Sequence, residues 1–279
     1  MPTATPDPHT EPTSDTHTAS ASRRDPSRAQ GHDRDRDRSH PAWRGLVPYA
    51  PYLLVLAAHL VLLETGPAAV VYPSKLALMP VLAAGAIWAS RGLPRSARAA
   101  ITLLLLALGF SWLGDGAAFF FPFLADELPA MLACFGVAHV LYIVLFTRAL
   151  RGARDRARPP RWTLVYAAWW VVMIAALWPH LGVLAIGVAL YGLVLGGTAV
   201  AAALGSRATA LGGLLFLASD TLLALRLFLS GADAVVSDVA VMSTYGLGQG
   251  LLAAGVVALL RRASRRTVIQ RREANPGAR

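Results

Sequence analysis

Cysteine, lysine and interior charge are all scarce in this sequence. Its 279 residues include one cysteine, Cys134, and one lysine, Lys75. A single cysteine excludes a disulfide framework and a thiolate metal site, and in an apolar helix it reads as a small buried hydrophobe. Charged residues make up only 15% of the chain, against about 25% in soluble domains. They are gathered into a polar leader, short connectors and a tail, which leaves long apolar stretches between them. No Gly-x-Ser-x-Gly elbow and no His-Glu-x-x-His helix is present, so serine and zinc hydrolysis have no motif to support them. No metal and no cofactor is expected.

What is abundant is apolar surface and arginine. Apolar residues make up 55% of the chain, mean hydropathy is +0.50 and the net charge is +10. Nucleic acid is not the expected partner of that charge. The arginines lie beside apolar stretches, where lipid headgroups and membrane topology account for them. Residues 1–43 are rich in Pro, Ser, Thr, Asp and Arg and bury too little to offset their ordering entropy, which predicts a disordered cytoplasmic tail. The run His32-Asp33-Arg34-Asp35-Arg36-Asp37-Arg38 within it reads as a solvated linker. The apolar run begins too late for a cleavable signal peptide, so the first span is expected to serve as the insertion signal.

A bilayer core needs roughly 20 apolar residues per helix. That ruler predicts an all-α membrane bundle of about eight spans within residues 44–262, near 46–64, 73–90, 99–119, 128–148, 162–178, 181–203, 208–230 and 238–260. A cut at Trp178-Pro179-His180 divides the fifth from the sixth. Residues 263–279 read as a basic disordered tail. Arginines mark alternate connectors: Arg91, Arg95 and Arg98; Arg148 to Arg161; Arg207; and Arg261, Arg262, Arg265 and Arg266. The intervening connectors carry Asp126, Glu127, Asp233 and Asp238 instead. With eight spans every arginine-bearing segment falls on one side, which predicts cytoplasmic N and C termini in a bacterial plasma membrane.

Ionisable groups inside spans cost several kcal/mol unless paired or hydrated. Glu64, at a span end, reads as structural. Lys75, Asp115, His139, Asp220 and Arg226 need a reason, as do the polar Tyr142, Ser219, Tyr245 and Gln249. The topology places most of them in one layer between the midplane and the outer surface. Ser111/Asp115, His139/Tyr142 and Tyr245/Gln249 share helix faces. Each has a bland alternative: Lys75 can snorkel, Asp115 can end a helix, His139 can sit satisfied in a core, Asp220 can pair with Arg226, and Tyr245 and Gln249 can join helices. Together they predict a polar cavity bounded by the second, third, fourth, seventh and eighth helices.

Five blocks carry a family resemblance. Tyr72-Pro73-Ser74-Lys75, Ser111-Trp112-Leu113-Gly114-Asp115, His139-Val140-Leu141-Tyr142, Phe216-Leu217-Ala218-Ser219-Asp220 and Tyr245-Gly246-Leu247-Gly248-Gln249 resemble, in order, those of the lysoplasmalogenase-like YhhN family. The resemblance runs from about residue 46 to 260. It implies hydrolysis of the vinyl ether bond of a lyso ether phospholipid, giving a fatty aldehyde and a glycerophospho-alcohol. Two carboxyls in a cavity poor in water can divide the roles of acid and base, so Asp115 and Asp220 are the expected catalytic pair. Lys75, with Arg226, is expected to hold the lipid phosphate. His139, Tyr142, Ser219, Tyr245 and Gln249 would position substrate and water. The expected partners are a lyso-phospholipid or related amphiphile and the surrounding membrane lipids. A transporter or lipid-binding protein using the same cavity without chemistry is the rival reading.

Overall fold

A computed structural model describes residues 45–274; the leader predicted as a disordered tail lies outside the described residues. Among these, the chain is helical with no strands. The principal helices are α1 (Ala50–Thr65), α2 (Ala68–Ser90), α3 (Arg98–Asp115), α4 (Leu128–Val144), α5 (Val165–Leu181), α6 (Ala185–Ala202), α7 (Arg207–Phe228) and α8 (Asp238–Ala274). Seven stretches are long and apolar enough to cross a bilayer, and the fifth, Arg161–Ala202, is 42 residues long. That is twice what one crossing needs. It turns at Gly182, whose φ is 51°, and α5 packs back against α6. The stretch is therefore a hairpin of two crossings, and the protein is a multi-pass helical membrane bundle.

Two sequence boundaries move. α5 runs through Pro179 to Leu181, so the cut is at Gly182 and not at Trp178-Pro179-His180. Pro179 lacks the N–H that would bond the Ala175 carbonyl and so weakens the last turn, and the positive φ that ends the helix suits glycine. At the other end, α8 continues to Ala274 through residues expected to be disordered. Its 37 residues extend about 55 Å, well beyond an apolar core of about 30 Å. A helix nucleated in the membrane propagates through residues that favour helix, and Arg261–Ala274 holds no Gly or Pro.

The arginine-bearing connectors meet at one end of the bundle. Arg261 of α8 donates from Nε to the Ala89 carbonyl at the end of α2, 2.8 Å away. Arg156, between α4 and α5, donates to the Ala203 carbonyl beyond α6 at 3.2 Å.

α8 is the central pillar: 61% of its apolar window is buried, against 22–39% in the other spans. It packs on α7, α1, α2 and α3. Because lipid tails are as apolar as leucine, helix association in a membrane relies on close packing and small residues. A Cβ on Gly212 of α7 would lie 2.9 Å from the Gly248 carbonyl, and one on Gly248 would lie 2.9 Å from the Phe216 nitrogen. The pair Gly246/Gly250 meets Leu56 and Tyr52 of α1.

α2 contains Pro73 and Pro80. Pro80 has no N–H, so the carbonyl one turn earlier, on Leu76, loses its helical partner. The Trp112 Nε1–H of α3 donates to that carbonyl at 3.0 Å. Trp112 thus ties α3 to α2. Trp169 and Trp170 likewise bond to Thr221 and Ala189 of neighbouring helices, whereas Trp88, Trp162 and Trp178 are half exposed near span ends, the placement of interfacial anchors.

Two stability predictions follow from these contacts. Gly248→Leu should destabilise the bundle by about 1–3 kcal/mol in unfolding titrations in detergent, while Gly109→Ala, whose Cβ meets nothing within 4 Å, should be neutral or stabilising by up to about 1 kcal/mol. Trp112→Phe should cost about 1 kcal/mol, and this cost should vanish in a Pro80→Ala background, where the new N–H satisfies Leu76; a double-mutant cycle reads the difference.

Candidate functional site: paired carboxylates in a membrane cavity

A cavity of about 140 Å³ lies between α2, α3, α4, α6, α7 and α8. Its lining includes Leu128 at the start of α4, Phe228 at the end of α7 and Asp238 at the start of α8. It therefore reaches the end of the bundle opposite the arginine-bearing connectors. Its polar wall is made of Asp115, Tyr191, Ser219, Asp220 and Tyr245, with the partly exposed Lys75 beside Asp115 toward the mouth; the rest includes Met131, Leu132, Leu223 and Leu227. A few polar groups thus converge at the floor of an apolar slot.

Asp115 is the last residue of α3, which stops because Gly116 leaves the helix at φ −104°, ψ 21°. A Cβ on Gly114 would strike the Phe135 ring at 2.6 Å, and one on Gly116 would strike Phe120 at 2.5 Å. The two glycines let α4 and the following turn, Ala117–Phe120, close around the carboxylate. Asp115 accepts a hydrogen bond from the Tyr245 hydroxyl of α8 at 2.6 Å, and the Lys75 ammonium of α2 lies 3.7 Å away. That separation permits charge pairing but exceeds ordinary hydrogen-bond length.

Asp220 sits within α7 with different neighbours. It accepts a hydrogen bond from the Tyr191 hydroxyl of α6, and His139 Nε2 of α4 lies 3.7 Å away. His139 is fully buried. Its Nδ1 is 3.2 Å from Thr198 Oγ1 of α6, and its ring packs on Phe216 with centroids 4.8 Å apart. Each carboxylate is thus held by a tyrosine from another helix and lies near a basic side chain, lysine in one case and histidine in the other.

Of the residues expected at the site, Lys75, Asp115, Ser219, Asp220 and Tyr245 line the cavity. Ser219 also donates to the Val241 carbonyl at 3.1 Å, joining α7 to α8. His139, Tyr142 and Gln249 do not line it. They are fully buried behind it, where Tyr142 donates to Gln249 Oε1 at 2.6 Å and Gln249 Nε2 donates to Ser111 at 3.0 Å. This chain of bonds joins α4, α8 and α3 beneath the carboxylates. The structure thus places these three residues behind the cavity wall and not on it.

Arg226 is also placed differently from the expectation. Its guanidinium pairs with Asp238 at 2.5 Å, and only Asp238 lines the cavity. Its pairing is with Asp238 and not with Asp220, and Arg226 stands outside the cavity lining.

Two helices absent from the expected boundary contribute. α6 brings Tyr191 and Thr198, one face of an otherwise apolar helix at a spacing of seven residues, a signal readable in the sequence. α1 brings Tyr52, whose hydroxyl donates to the Gly246 carbonyl at 2.6 Å, and His59. The latter is fully buried, with Nδ1 2.8 Å from Ser74 Oγ. An ionisable group in the middle of the first span marked His59 as well.

Comparison with curated proteins and with solved structures finds no match. The sequence model of the YhhN family matches residues 70–256, a range that includes both aspartates, both tyrosines that hold them, and Lys75 and His139. With two-thirds of its length matched, this chain belongs to the YhhN family.

Proposed function

We propose that the protein is an integral-membrane hydrolase that cleaves the vinyl ether bond of a lyso ether phospholipid. The observation that carries this reading is the pair of aspartates from α3 and α7 facing one cavity, each held by a tyrosine hydroxyl. The family membership supports the same substrate class.

Vinyl ether hydrolysis begins with proton transfer to the carbon β to oxygen, producing an oxocarbenium ion. Water adds to that cation and loses a proton, giving a hemiacetal. Its collapse breaks the carbon–oxygen bond to the glycerol, and a proton passes to that oxygen. The products are an aldehyde and an alcohol, with one water consumed. The reaction needs a proton donor, an anion beside the developing positive charge, and few competing waters. Asp220 sits between Tyr191 and His139, and Asp115 between Tyr245 and Lys75; in this reading one of the two carboxyls supplies the proton. The other remains the anion beside the developing positive charge and orients the water. Lys75 has additional N–H donors for a phosphate at the wider part of the slot.

Cytoplasmic termini in a bacterial plasma membrane complete the proposal, since the arginine-bearing end is the one retained inside during insertion. The cavity then opens toward the outer leaflet.

Purified Asp115→Asn and Asp220→Asn variants should remain folded and lose turnover of a lyso vinyl ether lipid by on the order of 100-fold or more, followed by aldehyde release. Full activity in either variant would remove that carboxylate from the mechanism. Substrate flux into proteoliposomes without aldehyde would establish the transporter instead.

A further inference from the structure

A second hollow, about 570 Å³ in volume, lies between α4 and α6 on the lipid-facing side of the bundle. Its walls are apolar side chains such as Val137, Val140 and Leu190, all substantially exposed. Tyr191 and Leu132 line both this groove and the polar cavity. The groove therefore begins at the wall against which Asp220 is held.

Two glycines deepen it. Most glycines within the spans are required by packing: a Cβ on Gly114, Gly116, Gly192, Gly197, Gly212, Gly213, Gly246 or Gly248 would meet a neighbour within 3.2 Å. Gly136 of α4 and Gly187 of α6 are different. A Cβ on either meets nothing within 4 Å, and neither has a positive φ. Both line the groove. Helix stability alone favours a larger residue at such positions, so what the glycines provide is open space. Gly109 is another open glycine within a span, and it lies outside the groove lining.

The polar cavity, at about 140 Å³, is below the roughly 300–1,000 Å³ typical of pockets that enclose whole ligands. A long-chain lipid with its reacting bond beside Asp115 and Asp220 must therefore extend its hydrocarbon elsewhere. We propose that the groove between α4 and α6 holds the hydrocarbon chain of the substrate, with Gly136 and Gly187 setting the chain length accepted. The assignment rests on the hydrolase reading. The chain passes the Tyr191–Leu132 wall and lies against the bundle in the apolar layer, while the headgroup stays toward the mouth near Lys75.

Two measurements on the full-length protein in detergent test it. Gly136→Leu and Gly187→Leu place apolar bulk in the groove from positions where a Cβ meets nothing within 4 Å. They should raise KM for a long-chain lyso vinyl ether lipid roughly tenfold, the scale of one methylene's fit in an apolar pocket, and leave kcat and all short-chain kinetics unchanged. In the wild-type protein, a lyso-phospholipid carrying a mid-chain diazirine should label Val137, Val140 or Leu190 on irradiation. Unlabelled lyso lipid should suppress the labelling and diacyl phospholipid should not.

Unchanged long-chain kinetics in active Leu variants would overturn the groove assignment and leave the hydrolase intact. Equal competition by diacyl lipid would assign the groove to bulk bilayer lipid, and protection by self-association of the chain would assign it to a second copy; either overturns the proposal. Labelling specific to lyso lipid without any aldehyde would uphold the groove and refute the hydrolase reading.

Discussion

Inside a bilayer a polar group has no water to satisfy it, so each must find a protein partner or line a wet cavity. Much of this structure follows from that constraint. The carbonyl left open by Pro80 receives the Trp112 indole, the Gly246 carbonyl receives Tyr52, and the Val241 carbonyl receives Ser219. Each bond joins two helices. The requirement to satisfy polar atoms therefore also fixes the relative positions of the helices that carry the aspartates.

The same requirement shapes the cavity floor. Ser111, Tyr142 and Gln249 satisfy one another across three helices, a buried polar layer that begins one helical turn before Asp115. Above it, Asp115 and Asp220 have parallel arrangements with different cations nearby, a lysine 3.7 Å from one and a histidine 3.7 Å from the other. A lysine is a point charge with donors only, whereas imidazole both accepts and donates protons. The asymmetry gives two chemically identical carboxyls the means to act differently.

Small residues have two distinct uses in the bundle. At Gly212 and Gly248 they allow α7 and α8 to touch backbone to backbone, and at Gly114 and Gly116 they admit aromatic rings beside Asp115. At Gly136 and Gly187 nothing fills the space they leave. Composition cannot separate these uses, because the difference lies in what stands opposite each glycine.

The sequence by itself determined the membrane-spanning helices, the side-to-side alternation of arginines and the layer in which Lys75, Asp115, Asp220 and Tyr245 meet. These depend on hydrophobic length and on position along a helix, both of which are local. Only the tertiary structure decided that His139, Tyr142 and Gln249 lie behind the cavity wall, that Arg226 is taken by Asp238, and that α6 supplies Tyr191. Those outcomes depend on how each helix is rotated about its axis, which is set by contacts between residues far apart in the chain. The continuation of α8 to Ala274 belongs to the same class, since a tail that looks too polar to order is carried forward by the helix already formed within the membrane.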